Sequence, residues 1–133
     1  MNTLTLPTDS DVRKTIPLSA GLLAYFPAAL AGVARISHLG NQKHNPGQPL
    51  HHARGKSMDH SDCVVRHLMD VNDIQTDIDR NSDYAEVFND GYYDHDKVDA
   101  LLMEVSQLAW RALALSQELH ERYGNAPLAP GAK

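Results

Sequence analysis

From about Asp94 to Tyr123 the chain carries an apolar stripe that recurs every three or four residues: Val98, Leu101, Leu102, Val105, Leu108, Ala109, Ala112 and Leu119. That period belongs to one face of an α-helix and is incompatible with the two-residue alternation of a half-buried strand. Gly124 follows as a C-terminal cap. A helix of this length with one apolar face must bury that face against other helices. The rest of the chain supplies two candidates and few strand signals.

One candidate starts near Pro27, a favourable first-turn residue, and carries Leu30, Val33, Ala34 and Leu39 before Gly40, where it is expected to stop. Leu22, Leu23, Tyr25 and Phe26 form its lead-in. The other is expected to be capped by Ser57, with Asp59 in its first turn, and to run to about Asp79 on Val64, His67, Leu68, Val71, Ile74 and Ile78. A short helical turn is expected near Tyr84 to Phe88. Asn41 to Gly55 reads as a long functional loop punctuated by Pro46-Gly47 and Pro49. The expected fold is therefore all-α: a small bundle of about three main helices, with the loop between the first two, completed by oligomerisation into a dimer or tetramer. The expected organisation is a mobile arm over residues 1–17, one helical domain over 18–124 and a flexible tail over 125–133.

Composition narrows the functional classes. At 133 residues, 42% of them apolar, the chain suits one domain that buries roughly two-thirds of its unfolded surface. A net charge of −5 argues against a dedicated nucleic-acid binder. No apolar run reaches the length of a membrane span, and the N-terminus lacks the basic-then-apolar order of a secretory signal, so the chain reads as cytoplasmic. Cys63 is a lone cysteine, expected as a buried, reduced thiol in the second helix.

The chemistry concentrates between Lys43 and Asp70, KHNPGQPLHHARGKSMDHSDCVVRHLMD. Lys43, Arg54, Lys56 and Arg66 are candidate phosphate ligands. The loop lacks the GxxxxGK(S/T) phosphate-binding pattern, although Gly55-Lys56-Ser57 copies its end. Lys56-Ser57 at a helix start, with free backbone amides, is nevertheless an anion site. Behind the loop, Asp59, Asp62, Arg66, Asp70, Asp73 and Asp77 fall along one row of the second helix. Asp59 and Asp62, one turn apart, are candidate ligands for magnesium or manganese, or else part of a solvated acidic face, as Asp73 and Asp77 are read. Antiparallel packing of the third helix would bring Glu104 to them as a third carboxylate. The plainer alternative is an exposed Glu104 paired with Arg111. His60 and His67 lie on the core side of the second helix. His44 or His67 is a candidate for reading a base or relaying a proton. Zinc finds no Cys-x-x-Cys or His-Glu-x-x-His pattern. Trp110 falls opposite Val105 and is expected at a subunit contact.

The segment FPAALAGVARISHLGNQKHNPGQPLHHARGKSMDHSDCVVRHLMD, followed by LAWRALAL, resembles the phage dATP/dGTP diphosphohydrolase N-terminal domain family, itself distantly similar to MazG-type all-α nucleotide pyrophosphohydrolases. The likeness covers about residues 20 to 120, through GN-x-KHNPG, ARGKS-x-DH-x-D and RHL-x-D. The resemblance implies an all-α fold, a divalent metal (Mg2+ or Mn2+), and hydrolysis of dGTP or dATP to the monophosphate and pyrophosphate. In phages that replace adenine with 2-aminoadenine, this activity supplies dGMP. The MazG-type ExxE and ExxD motifs are not spelled out here, and Asp59-x-x-Asp62 and Glu104-x-x-Gln107 would have to stand in for them. Two other readings stay open: an HD-type phosphohydrolase built on His95-Asp96, and a module that binds nucleotides without consuming them.

Overall fold

The computed structural model describes residues 3–52, 54, 58–88 and 95–131, and the backbone alone over 81–88. Among these residues every regular element is helical. They are α1 (Ser10–Arg13), a π-helical turn (Ser19–Leu23), α2 (Pro27–His44), α3 (His60–Phe88) and α4 (His95–Tyr123). The fold is all-α with three main helices, as the periodicity requires.

The ends of the helices show which local signals act. Pro27 opens α2 in its first turn, where its missing N–H leaves no hydrogen bond unmade. Gly40 does not end α2, in contrast to the expectation. The helix runs four residues further because the stopping partners lie there. Asn45 N–H donates to the Asn41 carbonyl at 2.7 Å. The Asn41 side chain donates to the Gln48 carbonyl at 2.9 Å and accepts from His51 N–H at 3.0 Å. Gly47, at φ 75°, makes the turn between them. Lys43 and His44 are therefore exposed residues of the last turn of α2, not members of a loop.

Asp59 accepts Cys63 N–H on its carbonyl at 2.9 Å and so stands at the cap position of α3. Ser57, the expected cap, lies outside the described residues, as does Lys56. α3 extends well past Asp79, and the separate turn expected near Phe88 is its last stretch. α4 ends as expected. Gly124 N–H donates to the His120 carbonyl at 2.9 Å, and a Cβ on Gly124 would stand 2.9 Å from that oxygen.

The two ends of the chain carry more structure than expected. In the arm, Asp9 caps α1 through Val12 N–H at 3.0 Å, and Arg13 holds the Pro7 carbonyl at 2.9 Å. In the tail, Ala129 N–H donates to Glu121 at 3.3 Å, and Gly131, at φ 85°, lies against the His52 carbonyl.

α3 runs antiparallel to α4, joined by Lys97–Asp77 at 2.7 Å, His67–Glu104 at 2.7 Å and Arg111–His60 at 3.3 Å. α2 runs parallel to α4 on another face. Gly32 lets it approach, since a Cβ there would stand 2.6 Å from Ser106 Oγ. One turn further, Trp110 Nε1–H donates to Ser37 Oγ at 2.8 Å. α2 packs on α4 and not on α3, so the three helices form an α2–α4–α3 row with α4 in the centre. The core is thin. Cys63 and His60 are the buried residues among those described, and no described side chain is fully buried. Cys63 is a free, buried thiol, as expected. Among the described residues no helix is long and apolar enough to cross a membrane.

Candidate metal site

The antiparallel register of α3 and α4 decides which polar groups meet. His67 donates its Nδ1–H to Glu104 Oε2 at 2.7 Å, with both side chains about one-quarter exposed. Asp70, one turn along α3, joins them. One ligand atom from each of His67, Asp70 and Glu104 lies within 4.8 Å of the others. One imidazole nitrogen and two carboxylate oxygens are a donor set that could hold a divalent cation. The two oxygens suit magnesium or manganese, and the nitrogen shifts the preference toward manganese and other transition ions. A histidine and a carboxylate at i and i+3 of one helix, facing a carboxylate of another, resembles the way metal sites are built in helical bundles.

Glu104 was expected to meet Asp59 and Asp62, and it does not join them. The register sets it opposite His67, five residues beyond Asp62, or about 7 Å along the helix. Asp59 instead accepts from Arg66 at 3.0 Å at the exposed start of α3. Asp62 is exposed in the first turn. Glu104 is held by His67, and Arg111 donates to His60 Nδ1.

The expected phosphate ligands divide. Arg54 is a structural residue. It forks onto Glu121 with contacts of 2.7 and 3.1 Å, its side chain 10% exposed and that of Glu121 6% exposed. A bidentate pair this enclosed has no face left for a phosphate. It holds the loop and the tail to the end of α4. Arg66 is exposed and sits one turn before Asp70, so it is the candidate cation beside the cluster. Lys43 and His44 lie eleven and twelve residues beyond Gly32, the level at which α2 meets Ser106, which puts them some 15 Å or more further along the bundle. They are not brought to the cluster. Lys56 lies outside the described residues.

A second polar network runs toward the end of α4. His60 accepts from Arg111 on Nδ1 and donates Nε2–H to Glu118 at 3.2 Å, while Gln117 donates to Glu121 at 2.7 Å. The hydrogen bond from Arg54 holds the Glu121 carboxyl below the usual carboxylate range. Burial, and then the nearby Arg54, push His52 below the usual imidazole value. His52 lies edge-on to Trp110, with centroids 4.6 Å apart. Trp110 is thus half-buried against α2 and the loop, where the sequence suggested an exposed ring.

Asp70 was visible in the acidic row but had nothing to distinguish it from Asp73. The usable signal was His67-x-x-Asp70, a mixed-donor pair on one helical face. His95-Asp96 begins α4 nine residues before Glu104, about 13 Å away along the helix, and is not part of the cluster. Comparison with protein-family models, curated proteins and solved structures gives no match to this chain.

Proposed function

We propose that the chain is a metal-dependent diphosphohydrolase that cleaves dGTP or dATP, with water, to the monophosphate and pyrophosphate. It would act in the cytoplasm on free nucleotides, as a homo-oligomer, in a setting such as 2-aminoadenine DNA synthesis. The observation that carries this reading is the convergence of His67, Asp70 and Glu104, two carboxylates and an imidazole, on the stretch whose motifs resemble the phage family. His67, Asp70 and Glu104 would hold a Mg2+ or Mn2+ ion, which would supply neutralisation of phosphate charge and a water of lowered pKa. Glu104 fixes the orientation of the His67 ring through the Nδ1 hydrogen bond. Arg66, exposed one turn away, would meet a phosphate oxygen by exchanging Asp59 for substrate. The test is incubation with each purine deoxynucleoside triphosphate and Mg2+ or Mn2+, followed by separation of products. Monophosphate and pyrophosphate are expected. Orthophosphate release, or binding without turnover, contradicts the proposal.

A further inference from the structure

The tail comes back over the loop that joins α2 to α3, and one carboxylate holds both. Glu121 takes the fork of Arg54 from the loop at 2.7 and 3.1 Å and accepts Ala129 N–H from the tail at 3.3 Å. Arg54 also reaches the Ala129 carbonyl at 3.5 Å. The His52 carbonyl accepts Arg54 N–H at 3.0 Å and lies against Gly131. Pro127 and Pro130 fix the tail backbone on either side of Ala129, which lowers the entropy lost when it closes. Little apolar surface helps: Leu50 on the loop and Leu128 on the tail stay 69% and 68% exposed. A closure held by polar contacts in an exposed segment opens at lower free energy than the helices beneath it.

His52 gives this closure a group whose charge changes near neutral pH. Its ring lies edge-on to Trp110, with centroids 4.6 Å apart. Arg54 from the loop, His60 from α3, and Arg111 and Glu118 from α4 act on it electrostatically. α2 contributes a neutral group, Ser37, on the Trp110 indole N–H. Burial first, and then two guanidinium groups and a second imidazole against one carboxylate, hold the His52 pKa below the ordinary 6.5. An imidazole released to water escapes both effects. The open form therefore binds the proton better than the closed form, and acid favours opening.

We propose that His52, Arg54 and the tail form an acid-released clasp, in which protonation of His52 opens loop and tail together from the end of α4 while the α2–α4–α3 row stays folded. On the loop side the hinge lies just before His52, because the Asn41 side chain holds Gln48 and His51 to α2. On the tail side it lies at Asn125, at φ 56°, beyond the contact of Ala126 N–H with the His120 carbonyl at 3.2 Å. Opening bares the Trp110 ring and the carboxylates of Glu118 and Glu121. The His67–Asp70–Glu104 cluster lies roughly 20 Å from Glu118 along α4, so the clasp works independently of the proposed metal chemistry.

The experiment is amide hydrogen exchange on the full chain at pH 7.5 and pH 5, expressed as protection factors so that the intrinsic pH dependence of exchange cancels. Fluorescence of Trp110, the one tryptophan of the chain, and helical circular dichroism are followed on the same samples. Expected at pH 5 is a loss of Ala129 protection between about threefold and thirtyfold, the upper figure being the ceiling set by an open-state imidazole at its ordinary 6.5. Trp110 emission shifts with it, while α4 protection and the helical signal stay unchanged. His52→Gln is expected to hold Ala129 protection constant between the two pH values. His51→Gln, at an exposed neighbour, is expected to respond as the natural chain does. Arg54→Lys, which cannot fork onto Glu121, is expected to lower Ala129 protection at both pH values. In the natural chain, a change at Ala129 of less than about threefold overturns the proposal. So does loss of α4 protection together with the tail, a Trp110 emission that does not follow the tail, or a pH response that survives in a folded His52→Gln. The first three outcomes need no variant.

Discussion

His67 and Glu104 meet at 2.7 Å across the seam between two antiparallel helices, and that contact brings Asp70 into a three-residue donor cluster. The same register sends Arg111 to His60 and Lys97 to Asp77. A slip of one turn would return Glu104 toward Asp62, so the inter-helix register determines which carboxylates act together.

Metal affinity separates the two candidate sites. Glu104→Gln, His67→Ala and Asp70→Asn should each weaken Mn2+ binding by more than about tenfold, since even loss of an outer-shell partner costs that much. Asp62→Asn should leave it unchanged. Isothermal calorimetry with Mn2+ alone reads this without any nucleotide. Equal losses in Asp62→Asn and Glu104→Gln would return the site to the first turn of α3.

Arg54 should matter for stability more than for substrate. Arg54→Ala leaves the part-buried Glu121 carboxylate without its bidentate partner, a loss of about 1–3 kcal/mol. Arg54→Lys should recover only part of this, because a lysine cannot fork onto both carboxylate oxygens. Urea unfolding measures both. A phosphate-binding role would instead show a raised KM with unchanged stability.

Acid should destabilise the protein in two windows. The folded pKa of His52 lies below its ordinary 6.5, so the unfolded chain binds the proton first. Stability is full above about pH 6.5 and declines as pH falls toward the folded value. The folded pKa of Glu121 lies below its ordinary 4.5. Its contribution is present above that value and is lost as pH falls through the folded one. Thermal melts across pH 3–8 should show both declines. His52→Gln should remove the upper one, and Glu121→Gln the lower.

The close passage of the tail over the loop gives a further expectation. Gly131→Ala places a Cβ against the His52 carbonyl at φ 85°, a backbone region that side chains strain. The tail should detach, and amide exchange at Ala129, whose N–H is held by Glu121, should accelerate. Unchanged protection of that amide would mean that the tail is not held there.

What the sequence disclosed depended on the range of each interaction. The start of α2 at Pro27 and the end of α4 at Gly124 follow from local chemistry and were legible. Gly40 misled, because a glycine ends a helix only where following groups can take over the last carbonyls, and those groups belong to Asn41, Asn45 and the folded-back loop. The buried thiol of Cys63 was legible from its place on the helix. Asp70 was not, since a helical wheel gives the face of α3 but not its register against α4. In one dimension Arg54 looked like a phosphate ligand and Trp110 like an exposed residue at a subunit contact. Their partners, Glu121 and Ser37, lie about 70 residues away.

The most direct measurement of the central claim is turnover of dGTP with Mn2+ by the natural chain, Glu104→Gln and Asp62→Asn, with products separated. The expected result is dGMP and pyrophosphate from the natural chain and from Asp62→Asn, with kcat/KM at least about a hundredfold lower in Glu104→Gln, the scale of a lost metal ligand. Full activity in Glu104→Gln, orthophosphate as the product, or no turnover of either purine deoxynucleoside triphosphate would contradict it.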